Sequence, residues 1–197
     1  QFTENNNTGG RPVISRYWEF GDAATGTNSN PSHAYAAPGS YTARFALITD
    51  VGCLSDTTSH IVTVSPLPTA TVAGTVAVCQ NGAAPAITFT GASGTAPYTF
   101  TYTINGGAAL TVTSTGNTAT VTAPTTTPGT FTYSLVSVQD ASPAACSQPQ
   151  TGSAIVTVNP LPSATISGTN TVCQHATAPA VTFTGATGTA PYTFTYT

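Results

Sequence analysis

The 197-residue sequence contains no lysine and no methionine, a single tryptophan, and three arginines, Arg11, Arg16 and Arg44. Charged residues make up 5% of it, against roughly a quarter in ordinary soluble domains. Without lysine, a lysine–asparagine isopeptide crosslink is excluded, so any covalent staple must use cysteine. A formal net charge of −3, thinly spread, leaves no basic patch for phosphates and no polybasic run for an anionic membrane. Nucleic acid is therefore not an expected partner. No apolar run approaches the roughly 18 residues that a spanning helix needs, so no membrane insertion is expected either.

What is abundant is threonine and repetition. The sequence from Pro66 to Thr103 recurs from Pro160 to Thr197, and about three quarters of the aligned positions are identical. Self-similarity at this pitch points to an array of whole domains. Three segments are expected: residues 1–65 as a domain lacking its first strand, 66–159 as a complete repeat, and 160–197 as the N-terminal part of the next. On this reading the chain is a window on a longer array. The junctions Val64-Ser65-Pro66-Leu67-Pro68 and Val158-Asn159-Pro160-Leu161-Pro162 nearly coincide. Proline on both sides of leucine favours extended backbone and a short, stiff linker.

Period-two alternation dominates the complete repeat. Tyr98, Phe100 and Tyr102 fall on one face and Thr99, Thr101 and Thr103 on the other, as a half-buried antiparallel strand requires. Phe131, Tyr133 and Leu135 repeat the pattern, after which the apolar phase shifts to Val136 and Val138, predicting a bulge. Turn formers such as Asn105-Gly106-Gly107 and Pro128-Gly129 separate the runs, and helical spacing is absent. The expected fold class is all-β, with tandem antiparallel β-sandwich domains of about seven short strands, immunoglobulin-like in architecture, in an elongated array.

The first segment carries three spaced motifs: Tyr17-Trp18-Glu19-Phe20-Gly21-Asp22, Asn30-Pro31-Ser32-His33-Ala34-Tyr35, and Pro38-Gly39-Ser40-Tyr41-Thr42. Read physically, Trp18 and Phe20 alternate into a core, Gly21 permits a tight turn, and the Asp22 carboxylate accepts amide bonds in it. Tyr41, Ala43, Phe45 and Leu47 point inward together, leaving Arg44 outside. The three motifs strongly resemble the PKD domain family, departing from its pattern at Glu19 and Ala23. The later repeats resemble PKD-like or immunoglobulin-like repeats of large surface proteins of gliding and biofilm-forming Bacteroidota. That resemblance implies type IX secretion, an extracellular or cell-surface location, and roles in adhesion. Gln1-Phe2-Thr3 aligns with Thr88-Phe89-Thr90 as a strand.

The cysteines are placed by the repeat. Cys79 and Cys146 share one unit, Cys173 repeats the Cys79 position, and Cys53 stands before its junction much as Cys146 does. The simplest account is one disulfide per domain, Cys79 with Cys146, with the partners of Cys53 and Cys173 outside the chain; the alternative is four free thiols. Metal-binding spacings such as C-x-x-C are absent.

Groups for chemistry are few. His33 belongs to the PKD-like pattern and reads as a structural hydrogen-bonding residue, while His60 and His175 lie in other segments. No acid pair, nucleophile elbow, Walker loop or zinc motif occurs, so no catalytic residue, cofactor or metal is expected. Asp22 with Glu19 or Asp50 is the one conceivable calcium cluster. Asp56-Thr57-Thr58 resembles the O-glycosylation acceptor of Bacteroidota, which makes Thr57 a candidate. The expected function is a non-catalytic extracellular stalk, filament or adhesin shaft. The alternative is a spacer or carbohydrate-binding accessory module of a secreted polysaccharide-degrading enzyme, for which Tyr98, Phe100 and Tyr102 would form an exposed platform. Expected partners are neighbouring domains of the same chain, further copies assembling into a fibre, surface glycans, or secretion-machinery proteins.

Overall fold

The computed structural model describes all residues, Gln1–Thr197, and contains strands and no helix. It divides into two compact units: Gln1–Leu67 with Ser142–Cys146, and Pro68–Ala141 with Ser147–Thr197.

In the first unit, β1 (Val13–Glu19), β2 (Thr25–Gly26), β3 (Gly39–Thr49) and β4 (Thr58–Val64) form one antiparallel sheet in the order β2-β1-β3-β4. The register sets Trp18 opposite Phe45 and Ala43 opposite His60. Trp18, Phe20, Ala43 and Leu47 are buried while Arg44 is exposed, as the alternation requires. The expected strand at Gln1-Phe2-Thr3 does not form. Its backbone is held instead by Phe2 N–H donating to the Pro31 carbonyl at 2.9 Å, outside any sheet ladder. The half-buried Phe2 nevertheless packs its ring 5.7 Å from Trp18 and 5.1 Å from Phe20.

The second unit opens with β5 (Thr69–Ala73), β6 (Val76–Cys79), β7 (Ala86–Ala92), β8 (Thr99–Ile104) and β9 (Leu110–Thr113). It continues with β10 (Thr118–Thr122), β11 (Gly129–Gln139), β12 (Ser147–Pro149) and β13 (Ser153–Asn159). A three-stranded sheet, β10-β7-β5, faces a sheet ordered β6-β13-β11-β8-β9, with β12 also on β11. The core between them contains Ile87, Phe89, Phe100, Tyr133, Val138 and Val156, all at most 1% exposed. The apolar phase shift appears as a register break between Leu135 and Ser137, which turns Val136 outward and Val138 inward.

One pairing departs from the antiparallel pattern. β6 runs parallel to β13, with Val76 through Cys79 opposite Val156 through Asn159. Thr75 Oγ1 accepts from Ile155 N–H at 3.0 Å, and Gln80 N–H donates to the Asn159 carbonyl at 2.7 Å, extending the contact at both ends. The last segment forms a ribbon of β14 (Ser163–Ser167) with β15 (Thr182–Ala186).

The expected Cys79–Cys146 disulfide is corrected: all four cysteines are free. The register explains why. Cys79 lies beside Asn159, at the end of the sheet where Val158 meets Gly129, the first residue of β11. Cys146 is bonded to Ser147, which pairs with Gln139, the last residue of β11. At about 3.3 Å per residue these ends are about 30 Å apart, whereas a disulfide needs Cα atoms within about 7 Å.

Candidate functional site

The densest cluster of polar and aromatic side chains joins the three motifs of the first unit. At the end of β1 the chain makes a tight turn through Gly21, whose φ is +87°. A Cβ there would lie 2.7 Å from the Thr42 backbone nitrogen, so both the conformation and the close approach call for glycine. The turn is held by Asp22, whose Oδ1 accepts from Ala24 N–H at 3.2 Å and whose Oδ2 lies 2.7 Å from His33 Nε2. The hydrogen bond to His33, assisted by the Ala24 amide, holds the Asp22 carboxyl below its ordinary pKa.

His33 is stacked on Phe20 at 4.3 Å and meets Tyr35 edge-on at 4.7 Å, and Tyr35 stacks on Tyr41 at 4.2 Å. The Tyr35 hydroxyl donates to the Phe20 carbonyl at 2.9 Å and the Tyr41 hydroxyl to the Ala37 carbonyl at 2.8 Å. Burial raises the Tyr35 pKa, so this phenol stays protonated and donating. Trp18 Nε1–H reaches the Asn28 carbonyl at 3.0 Å. Thus Trp18, Phe20, Gly21, Asp22, His33, Tyr35 and Tyr41 come together, and Pro38-Gly39 leads the chain into β3.

Sequence reasoning missed a second polar contact. Glu4 accepts two hydrogen bonds from the Arg16 guanidinium, at 2.6 and 2.8 Å, which lower the Glu4 pKa. The pair pins the N-terminal segment over the sheet beside a groove of about 650 Å³ lined by Phe2, Trp18, Tyr35, Phe45 and His60. Nothing in the local sequence marks two residues twelve apart as partners.

Chemically, this arrangement locks turns. His33 Nε2 is engaged by Asp22 and its ring lies on Phe20, so the pair orients the turn. Asp22 faces His33, whereas Asp50 lies 3.6 Å from Arg11, so these carboxylates do not converge. No three His, Cys, Asp or Glu side chains cluster anywhere in the chain. Thr57 is exposed, just before β4.

In the second unit the sequence singled out an aromatic row. Tyr98, Phe100 and Tyr102 are 2%, 0% and 5% exposed, so they are core. Tyr98 lies flat against Gly91, where a Cβ would come within 2.5 Å of the ring, and its hydroxyl donates to the Gly94 carbonyl at 2.8 Å. Gly185 and Tyr192 repeat this packing in the last segment, with Tyr192 bonded to the Gly188 carbonyl at 2.8 Å. Asp140, also buried, accepts from Thr95 N–H at 3.0 Å and secures the same loop.

Residues 1–64 match the family model of the PKD domain. A microbial collagenase from Vibrio alginolyticus is 34% identical over 65 residues, covering 33% of this chain and 8% of the collagenase. The chain thus corresponds to a small part of that relative. Among solved structures, the fibronectin(III)-like modules of Clostridium thermocellum CbhA match at TM-score 0.35 and 17% identity, covering 79% of this chain and 83% of theirs. A Ca2+-stabilized adhesin with which an Antarctic bacterium binds ice matches at TM-score 0.38 and 17% identity, covering 84% and 45%.

Proposed function

We propose that this chain is a non-catalytic, tension-bearing segment of an extracellular bacterial surface protein, a stalk, filament or adhesin shaft that holds out an activity housed elsewhere. The observation that carries this reading is the parallel pairing of β6 with β13. In the second unit, tension enters through the strands at its N-terminal side and leaves through β13. Because β6 and β13 are parallel, such tension pulls them in opposite directions along their length. The ladder bonds are then loaded together in shear, whereas an antiparallel pair pulled from one end opens bond by bond.

The PKD match over residues 1–64 and the PKD-containing collagenase relative support a place in a secreted protein. Self-assembly into a fibre, surface glycans or secretion machinery as partners, glycosylation at Thr57 and a Bacteroidota origin with type IX export belong to the same proposal. The alternative, a carbohydrate-binding accessory module, would need an aromatic platform, and the row at Tyr98, Phe100 and Tyr102 is used up by the core. Affinity electrophoresis through gels containing cellulose derivatives, xylan, chitin derivatives or α-glucans tests the choice. The structural reading expects unchanged mobility in every gel, and reproducible retardation by one polysaccharide would favour the accessory module. Mechanical unfolding tests the load-bearing reading itself.

A further inference from the structure

From the positions of the cysteines we infer that the disulfide of these repeats joins one repeat to the next, linking Cys79 to the cysteine that occupies the Cys146 position in a following complete repeat. The inference goes beyond the tension-bearing reading and shares with it an oxidising location.

Each repeat has a leading end, where its first strand begins, and a trailing end, where its last strand stops. In the complete repeat Cys79 is at the trailing end, exposed, and opposite Asn159 in the parallel register. Cys146 belongs to the leading end. The chain just after it, at Gln150, reaches the first strand through its side-chain carbonyl, which accepts from Ala70 N–H at 3.2 Å. Cys173 recurs at the Cys79 position of the next repeat, and Cys53 lies in the β3–β4 connection as Cys146 lies in the β11–β13 region. The repeats therefore carry one cysteine for each end, and the two ends of one repeat are too far apart to be bridged.

The junction supplies the proximity that the single repeat lacks. Asn159, beside Cys79, is followed by Pro160-Leu161-Pro162 and then by Ser163, the first residue of β14. Four Cα steps cover at most about 14 Å. Ser163 corresponds to Thr69, the residue before Ala70, so the leading end of the following repeat begins within that reach. Its Cys146 equivalent, on a connecting loop at the same end, is the thiol that chain connectivity brings nearest to Cys79. The bond forms by exchange with an external disulfide: one cysteine thiolate attacks it and expels a thiolate, and the second cysteine thiolate then displaces the other. Two protein thiols lose two electrons and two protons in all, and the external disulfide is reduced to two thiols. Such a bond would cross the junction that the proline linker spans and would limit its bending.

The test is a chain in which Gln1–Thr197 is continued by a second copy of Ile104–Asn159, completing the last repeat. It is oxidised in glutathione buffer at low protein concentration, and non-reduced peptic peptides are mapped by mass spectrometry. The expected result is a crosslink between Cys79 and the cysteine of the appended copy, lost when Cys79→Ser is introduced. A crosslink between Cys79 and Cys146, or a Cys79 that stays fully alkylatable in a folded extended chain, overturns the inference. Should the extension fail to fold, the 197-residue chain still decides. Both Cys79 and Cys146 should remain alkylatable after the same oxidation, and an intramolecular bond between them would refute the assignment. Neither outcome depends on where the protein resides, so failure here is distinguishable from failure of the functional proposal.

Discussion

Replacing Gly91 with alanine should destabilise the complete repeat while leaving the first unit untouched. The new Cβ would sit 2.5, 2.6 and 2.9 Å from three ring carbons of Tyr98, against the roughly 3.5–4.0 Å of an ordinary carbon contact. The ring must therefore retreat by about 1 Å. It is not free to do so: it is 2% exposed, its hydroxyl is bonded to the Gly94 carbonyl at 2.8 Å, and its own amide donates to Ser114 Oγ at 2.7 Å. Overpacking of this kind costs about 1–3 kcal/mol, and losing the hydroxyl bond adds about 1 kcal/mol. Against this, alanine restricts the unfolded chain and returns about 0.4–1 kcal/mol. The clash wins, with a net loss of about 1–3 kcal/mol and a melting temperature lowered by at least about 5 °C for a domain of this size. The dispersed amide signals of the complete repeat in NMR follow its melting, and Trp18 fluorescence, unique to the first unit, is the internal control. On a Tyr98→Ala background the same Gly91→Ala change should cost nothing. A variant that melts at or above the wild type, or an equal loss on both backgrounds, would refute the packing argument.

Trp18→Ala should cost the first unit about 3–5 kcal/mol, enough to unfold it, as seen by lost dispersion of its amide signals in NMR. Thr49 has a buried hydroxyl without a hydrogen-bond partner, so the isosteric Thr49→Val should raise the Trp18-monitored melting temperature, by about 1–3 kcal/mol in stability terms. The Glu4 and Asp22 carboxyls are both held below their ordinary pKa values, by Arg16 and His33 respectively. Their contribution is complete above the unfolded values near 4 and is lost as pH falls through the lower folded values. The first unit should thus melt at progressively lower temperature below about pH 4, and Glu4→Gln with Asp22→Asn should flatten that acid limb.

The legible parts of the fold are those written in local alternation. Tyr98-Phe100-Tyr102 and Trp18-Phe20 declare their buried faces by period two, and the Leu135–Val138 phase shift foretells the bulge. The turn motif was equally readable, because Gly21 and Asp22 act within a few residues of one another. What escaped depends on pairing across distance. The parallel β6–β13 contact joins residues eighty apart, and it is this register that separates Cys79 from Cys146. The matching positions of Cys79 and Cys173, and the similar ones of Cys53 and Cys146, show that cysteines recur without telling which end of a sandwich each occupies. The strand expected at Gln1-Phe2-Thr3 does not form, although the Phe2 ring packs against Trp18 and Phe20. The Glu4–Arg16 pair had no local signature at all.

Single-molecule pulling from the two ends of the chain reads out whether the second unit resists tension through the parallel β6–β13 ladder. The comparison is between the wild type, Gly91→Ala, and a variant with proline at both Ala77 and Val78, one of which must lose a ladder donor. A single force peak is expected for the repeat, falling steeply in the proline variant and much less in Gly91→Ala, even where the two lose similar thermal stability. Equal forces in wild type and proline variant, or a repeat that peels open at low force without a distinct peak, would contradict it.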